Sequence, residues 1–429
     1  MNIRVWPWIL LGLALVPALL INAPKPQVIE PAPSQATLVE AIWSMPTNLD
    51  PALAHTPSEW QVDDNVFEPL LSETSTGQIV PDVASLATYQ GNVVTIQLGK
   101  RRLTNGRILT ANTVAAALTR PLLPQVNSPT VKTLLSNVVG YQHMISGRLN
   151  YLSGIKVVNA STLTITLKHP ANLAFLRALA NPALSIVPLS DQLRGGANWQ
   201  FTNLYGTAGY RLTDWVPGDH LTFQRVFGTG PTQVQLQLYS SFQLAVLGFI
   251  NKTVSVVPVA ANQLRQVPIE EHKRITFLPT PGTIKLFLSS NRGRISAYPT
   301  LAPINTWVSQ AFLGVVPSEG FSWPTGLPTG HTMTVWVNGQ DPAAEVLAKT
   351  LSRLTHGKVS VRVSTAPQIQ SLASTGQITA YIGTQNRIKG GTAIPLVRRG
   401  SFWLLDHDIT TANGFANGAL NWQSITWRK

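Results

Sequence analysis

Cysteine is absent from all 429 residues. That excludes disulfide scaffolds, Cys-ligated zinc, iron–sulfur centres, thiol catalysis and a lipid-modified N-terminal cysteine. Charge is scarce as well, with Asp, Glu, Lys and Arg at 12%, about half of what an average soluble protein carries. The shortage falls on the acids, since 32 Lys+Arg face 19 Asp+Glu for a net charge of +13. Local enzyme signatures are missing too. There is no G-x-S-x-G elbow, no H-E-x-x-H pair and no P-loop; Gly99-Lys100 lacks the leading glycine and the following Ser/Thr. The histidines at 55, 143, 169, 220, 272, 331, 356 and 407 never pair at i+3 or i+4, so no local metal site is expected. Nor do Asp and Glu show a distinctive pairing for acid–base work. The residues point to no enzyme, no cofactor and no metal.

Hydrophobic residues make up 44% of the chain, enough for a sizeable core and too many for wholesale disorder. The length fits two or three domains. A basic balance can signal a nucleic-acid or anionic-membrane partner. Here the densest basic run, Lys100 to Arg102 with Arg107, flanks an Asn105-Gly106 turn and reads as a solvated hairpin tip. Nucleic acid is therefore not expected. Carboxylates that protonate in acid lose their ion pairs, so an acid-poor chain suits an acidic exterior. The expectation is stability that survives a fall from about pH 5 to 3.

The N-terminus carries one cation, Arg4, ahead of the uncharged stretch Trp6–Ala23. That length suits a signal peptide or a membrane anchor, and Arg4 on the short side sends the bulk of the chain outward. Residues 1–23 are expected to be one or the other, with small-residue cleavage points at Ala18 and Ala23. Pro24, Pro26, Pro31 and Pro33 make residues 24–35 a stiff spacer.

Beyond the spacer, strand and helix signals alternate. Thr37–Trp43, Val93–Leu98, Thr162–Leu167, Leu236–Leu238, Lys285–Ser289 and Val359–Val363 read as strands. Pro57–Leu71, capped by Ser58, and Ala111–Thr119, capped by Thr110, read as helices, as does Ala343–Leu354. Val93–Leu98 with the Asn105-Gly106 turn reads as one hairpin, and Gly209–Val226, around Pro217-Gly218, as another. The class is α/β with mixed sheets. His220, in the second hairpin, is expected to be exposed.

Three ordered segments carry a family likeness. In Asn48–Ala84 they are Leu49-Asp50-Pro51, Phe67-Glu68-Pro69-Leu70 and Gly77 through Ile79-Val80-Pro81-Asp82. In Val93–Leu118 they are a strand, a basic tip with a turn glycine, Leu109-Thr110-Ala111 and a helix. In Gly206–Arg225 they are Gly206-Thr207, Gly209-Tyr210 and Pro217-Gly218-Asp219. Each also works as fold punctuation, because Pro fixes φ and Gly supplies positive φ. Together the sequence resembles the extracellular solute-binding proteins of ABC importers, in the oligopeptide/dipeptide/nickel-binding group (family 5).

The resemblance implies a two-lobed, periplasmic-binding-protein-like fold (type II) with a hinged interlobe cleft. Lobe I would run from 36 to 239 with 393–429 returning to it, and a shortened lobe II from 240 to 392. The protein would be an extracytoplasmic monomer, secreted or anchored, that captures a peptide-like or small organic solute for ABC permease subunits in the membrane. The alternative is a transport-inactive surface scaffold or sensor that kept the fold. One departure stands out: Ile378–Val397 lacks the Trp and both Asp of the family stretch that holds a peptide's amino terminus. A buried ammonium needs a carboxylate partner, so amine recognition of the usual kind is not expected there. Extended peptides bind by backbone pairing at strand ends. The ligand candidates are therefore Trp43, Ser44 and Met45; Ser289, Ser290 and Asn291; Tyr381, Gly383, Thr384 and Gln385; and Phe402 and Trp403 as an apolar wall.

Overall fold

A computed structural model describes residues 37–74, 77–188, 200, 204–288, 333–339, 344–345, 347–349, 352, 359–378, 380–383 and 392–428. The leader and spacer lie outside them, as do Ser289, Ser290, Asn291, Thr384 and Gln385.

The strands are β1 (Thr37–Ile42), β2 (Leu71–Glu73), β3 (Ile79–Pro81), β4 (Ala84–Gln90), β5 (Val93–Leu98), β6 (Ile155–Asn159), β7 (Thr162–Thr166), β8 (Tyr210–Val216) and β9 (His220–Arg225). They continue as β10 (Gln233–Leu238), β11 (Val256–Val259), β12 (Ile275–Leu288), β13 (Met333–Asn338), β14 (Val359–Ser364), β15 (Ala380–Gly383), β16 (Thr392–Leu405), β17 (Ile409–Gly414) and β18 (Leu420–Trp427). Four helices matter here: α1 (Pro57–Val66), α2 (Ala111–Thr119), α3 (Phe242–Ile250) and α4 (Ala366–Ser374).

Ten strands form one mixed sheet in the order β14-β13-β15-β12-β16-β11-β1-β10-β9-β8. Near one end β1 runs parallel to β10, and β8–β10 are antiparallel. At the other, β13 runs parallel to both β14 and β15. The long antiparallel pair β12 and β16 joins the two ends, with register shifts at Pro279/Thr283 and Ile284/Lys285. Pro279 and Pro281 cannot donate ladder hydrogen bonds, which is why the pairing slips there. The architecture is α/β with mixed sheets, as expected.

A second sheet, β4-β5-β7-β6, is antiparallel throughout and closes an apolar core. Val94 and Ile96 of β5 alternate with outward residues and meet Leu163 and Ile165 of β7, all fully buried. From α2, Val114 and Leu118 pack onto the same core. The helix begins where expected, with the Thr110 hydroxyl accepting from the Thr113 N–H.

Three local readings are corrected. Helix α1 stops at Val66 rather than Leu71, because Pro69 pushes the residue before it out of the helical region. Its cap is Thr56 rather than Ser58, in a capping box with Glu59. Strand β5 pairs with β4 and β7, while the Asn105-Gly106 turn closes only a single bridge between Arg102 and Ile108. The turn chemistry itself holds, with Gly106 at φ +87 and Gly218 at φ +78. The expected helix 343–354 lies only partly within the described residues.

The chain's end returns to its beginning. Gln61 and Asn65 of α1 both donate from their side-chain amides to the Leu420 carbonyl, at 2.8 and 2.9 Å. Their amide oxygens accept from the N–H groups of Leu420 and Trp422. Trp422 is fully buried, against Tyr210 and Phe223.

Candidate functional site

In a chain poor in acids, α1 gathers an unusual share of them. Glu59, Asp63 and Asp64 are all buried, as are Glu40 on β1 and Asp50 in the preceding loop. Glu59 accepts from the N–H of Thr47, Asn48, His55 and Thr56 and from the Thr47 hydroxyl. Burial opposes its charge, but these donors together outweigh that cost and lower its pKa. Asp50 forms a two-pronged ion pair with buried Arg120. Glu40 has no such cation among the described residues. It accepts from Trp422 Nε1 at 2.8 Å and Gln61 Nε2 at 3.2 Å, and burial pushes its pKa up to about 8. The side-chain oxygens of Asp63, 2% exposed, make no hydrogen bond among the described residues. Burial, and then the nearby charges of Asp50, Asp64 and Glu59, push it well above the carboxylate range.

Next to this group lies a cavity of about 500 Å³. One wall is the turn after α1, Phe67 to Pro69; another is the β17–β18 hairpin at Asn413 to Ala416. Leu278 and Pro279 of β12 reach it where the register slips. Among the described residues its charged lining is Asp64, Glu68, Glu73 and Asp82 against one cation, Arg101. The Arg101 guanidinium donates to Glu68 Oε1 and Oε2 at 2.6 and 2.5 Å, and to Asp82 Oδ1 at 3.1 Å. Even so, burial raises the pKa of both carboxyls. Arg101 is thus a half-buried clamp between two family motifs, not part of a solvated tip; the sequence reading missed it because Glu68 and Asp82 lie 33 and 19 residues away. Gly206 makes the close approach possible: a Cβ there would stand 2.0 Å from the Val66 carbonyl oxygen.

The predicted ligand residues that are described lie elsewhere; none of them lines this cavity. Trp43 is 38% exposed and tilts against Phe242 of α3, 6.0 Å between ring centres. Ser44 is exposed, 3.3 Å from the Ser58 hydroxyl, and Met45 packs on the core. Tyr381 is buried and stacks on Phe287, and Gly383 pairs with Lys285 across the same strands. Phe402 packs on Phe277, and Trp403 is buried with its Nε1 donating to Ser401 Oγ. Trp43 keeps an exposed ring, whereas Tyr381 and Trp403 serve packing. His220 is half-buried rather than exposed, held between Asp219 at 2.8 Å and Asp214 at 3.4 Å. The described residues contain one group able to converge on a metal ion, Asp406, His407 and Asp408, in the surface turn between β16 and β17.

Residues 78–276 match the family model for bacterial extracellular solute-binding proteins, family 5, middle region. Over this stretch the chain is similar to that family. Its members are extracellular binding proteins. Among solved structures, the unliganded open form of the periplasmic murein tripeptide binding protein MppA superposes with a TM-score of 0.67 at 17% identity, covering 92% of this chain and 98% of that one. The Escherichia coli MppA structure gives 0.58 at 16%, covering 92% and 99%. Haemophilus influenzae OppA in complex with RPPGFSPFR gives 0.57 at 13%, again covering 92% and 99%. At these identities the neighbours establish the fold alone, the two-lobed α/β fold of periplasmic binding proteins. No curated protein matches this chain in sequence.

Proposed function

We propose that this protein is the extracytoplasmic substrate-binding component of an ABC-type importer and captures a peptide-like or small organic solute. The observation that carries the reading is the family match over 78–276, joined to a sheet whose two ends are linked by the long β12/β16 pair. Lobe I would comprise 36–239 with 393–429, and lobe II 240–392, hinged where β12 and β16 slip register. Residues 1–23 would direct export or remain as an anchor. The protein would act as a monomer, would neither hydrolyse ATP nor transform its solute, and would hand the solute to membrane permease subunits.

Function would follow from closure. A solute favours the closed state only by its differential affinity, and moving the ratio from 1:99 to 99:1 needs about 5.5 kcal/mol. Small-angle scattering and calorimetry on the whole chain with a tri- to nonapeptide library test this. Saturable binding with a smaller radius of gyration is expected; a library and a small-solute panel that bind nothing and close nothing would overturn it.

A further inference from the structure

We infer that the cavity between the α1 turn, β12 and the β17–β18 hairpin is a binding site for an organic ammonium group attached to an apolar body, with Asp64 as its anchor. This goes beyond the importer reading and stands whether or not a permease is served.

The cavity is of ligand size, since small-molecule sites span roughly 300–1,000 Å³, and this one measures about 500 Å³. Among the described lining residues the one cation, Arg101, is already committed to Glu68 and Asp82. Glu73 is held from outside by Arg177 Nε at 2.9 Å. Asp64 differs from all three. It is 6% exposed, its Oδ2 accepts from Asn417 Nδ2 at 2.6 Å, and its Oδ1 makes no hydrogen bond to any described residue. Asp64 lines the cavity, which leaves Oδ1 as an acceptor available to a ligand's N–H. Burial pushes Asp64 up to about 7, and an ammonium placed beside it would offset the cost of that burial.

The spacing selects the ligand class. Asp64, Glu68, Glu73 and Asp82 do not bring three oxygens together as Asp406, His407 and Asp408 do, so they lack the convergence a metal ion needs. An anionic solute would meet carboxylates and a spent guanidinium. The remaining walls, including Phe67, Leu278, Pro279 and Phe415, offer an apolar bed for a carbon skeleton.

Calorimetry on the whole chain with three probes sharing one apolar body decides the matter: phenethylamine, phenethyl alcohol and phenylpropionate. Saturable binding by the amine alone is expected, weakened by about tenfold or more in Asp64→Asn, which keeps the size of the side chain and an acceptor for Asn417. The control Glu40→Gln, outside the cavity, should bind the amine like the parent. Equal binding of the alcohol, no binding of the amine, or an unchanged Asp64→Asn variant would each overturn the inference. The wild-type probe comparison keeps the test decisive should Asp64→Asn fold poorly.

Discussion

Two neighbouring regions of this protein are held together by different physics. Beneath β4–β7 the interior is apolar: Val94, Ile96, Leu163 and Ile165 alternate into it and α2 seals it. Around α1 the interior is polar: Glu40, Asp50, Glu59, Asp63 and Asp64 are buried within one helix and the segments it touches. The first region draws its stability from area removed from water, which hardly depends on pH. The second depends on whether each carboxyl finds a donor, a cation or a proton. Asp50 has a cation, Glu59 a ring of N–H groups and Glu40 two side-chain N–H donors, whereas the Asp63 side chain has no hydrogen bond among the described residues.

The largest effect should come from breaking the ion pair between the two. Arg120→Ala leaves Asp50 buried without its guanidinium, at a cost of about 3–5 kcal/mol; denaturant unfolding at neutral pH measures it, and a change under about 1 kcal/mol would show the pair to be dispensable. Somewhat smaller is Leu163→Ala in the apolar core, about 2–4 kcal/mol from lost transfer energy and a cavity. Its penalty should be the same at pH 5 and pH 8, and a strongly pH-dependent penalty would erase the contrast between the regions.

The pH response of the α1 region has a definite sign. Glu40, raised to about 8, Asp64, raised to about 7, and Asp63, raised well above 3.8, bind protons more tightly folded than unfolded. Their stabilisation is complete below the ordinary carboxylate pKa and is lost as pH rises through about 7 to 8. Glu59, lowered, works the other way and is lost as pH falls through its folded pKa. The three raised groups outnumber it, so the unfolding midpoint should be higher at pH 5 than at pH 8 by a few degrees, roughly 2–4 °C per kcal/mol. Glu40→Gln should flatten that difference by raising the pH 8 midpoint; a midpoint that climbs from pH 5 to 8 would refute the assignment. The acid-poor composition pointed to an acidic exterior by the scarcity of carboxylates, and the fold adds that several of those kept are buried without a cation. The smallest effect belongs to the surface pair: Arg177→Ala, at a side chain 48% exposed, should cost less than about 1 kcal/mol.

Much of the local architecture was legible in the residues because its causes are local. Thr110 caps α2, alternation defines β5 and β7, and Pro217-Gly218 turns β8 into β9. The family motifs marked the fold for the same reason, since each is a turn, a cap or a close backbone approach written in neighbouring residues. The candidate ligand residues were less legible. Strand-end aromatics look alike on paper, yet Trp43 keeps an exposed ring while Tyr381 and Trp403 are buried in packing.

The sequence by itself determined the α/β class, the cap of α2, the turn between β8 and β9, and the absence of cysteine chemistry. Only the tertiary structure decided that Arg101 bridges Glu68 and Asp82, that Asp63 and Asp64 lose their water, and that the hairpin near residue 415 walls a cavity opened by α1. A side chain's charge state depends on what surrounds it in space, and here those surroundings come from segments up to 382 residues apart.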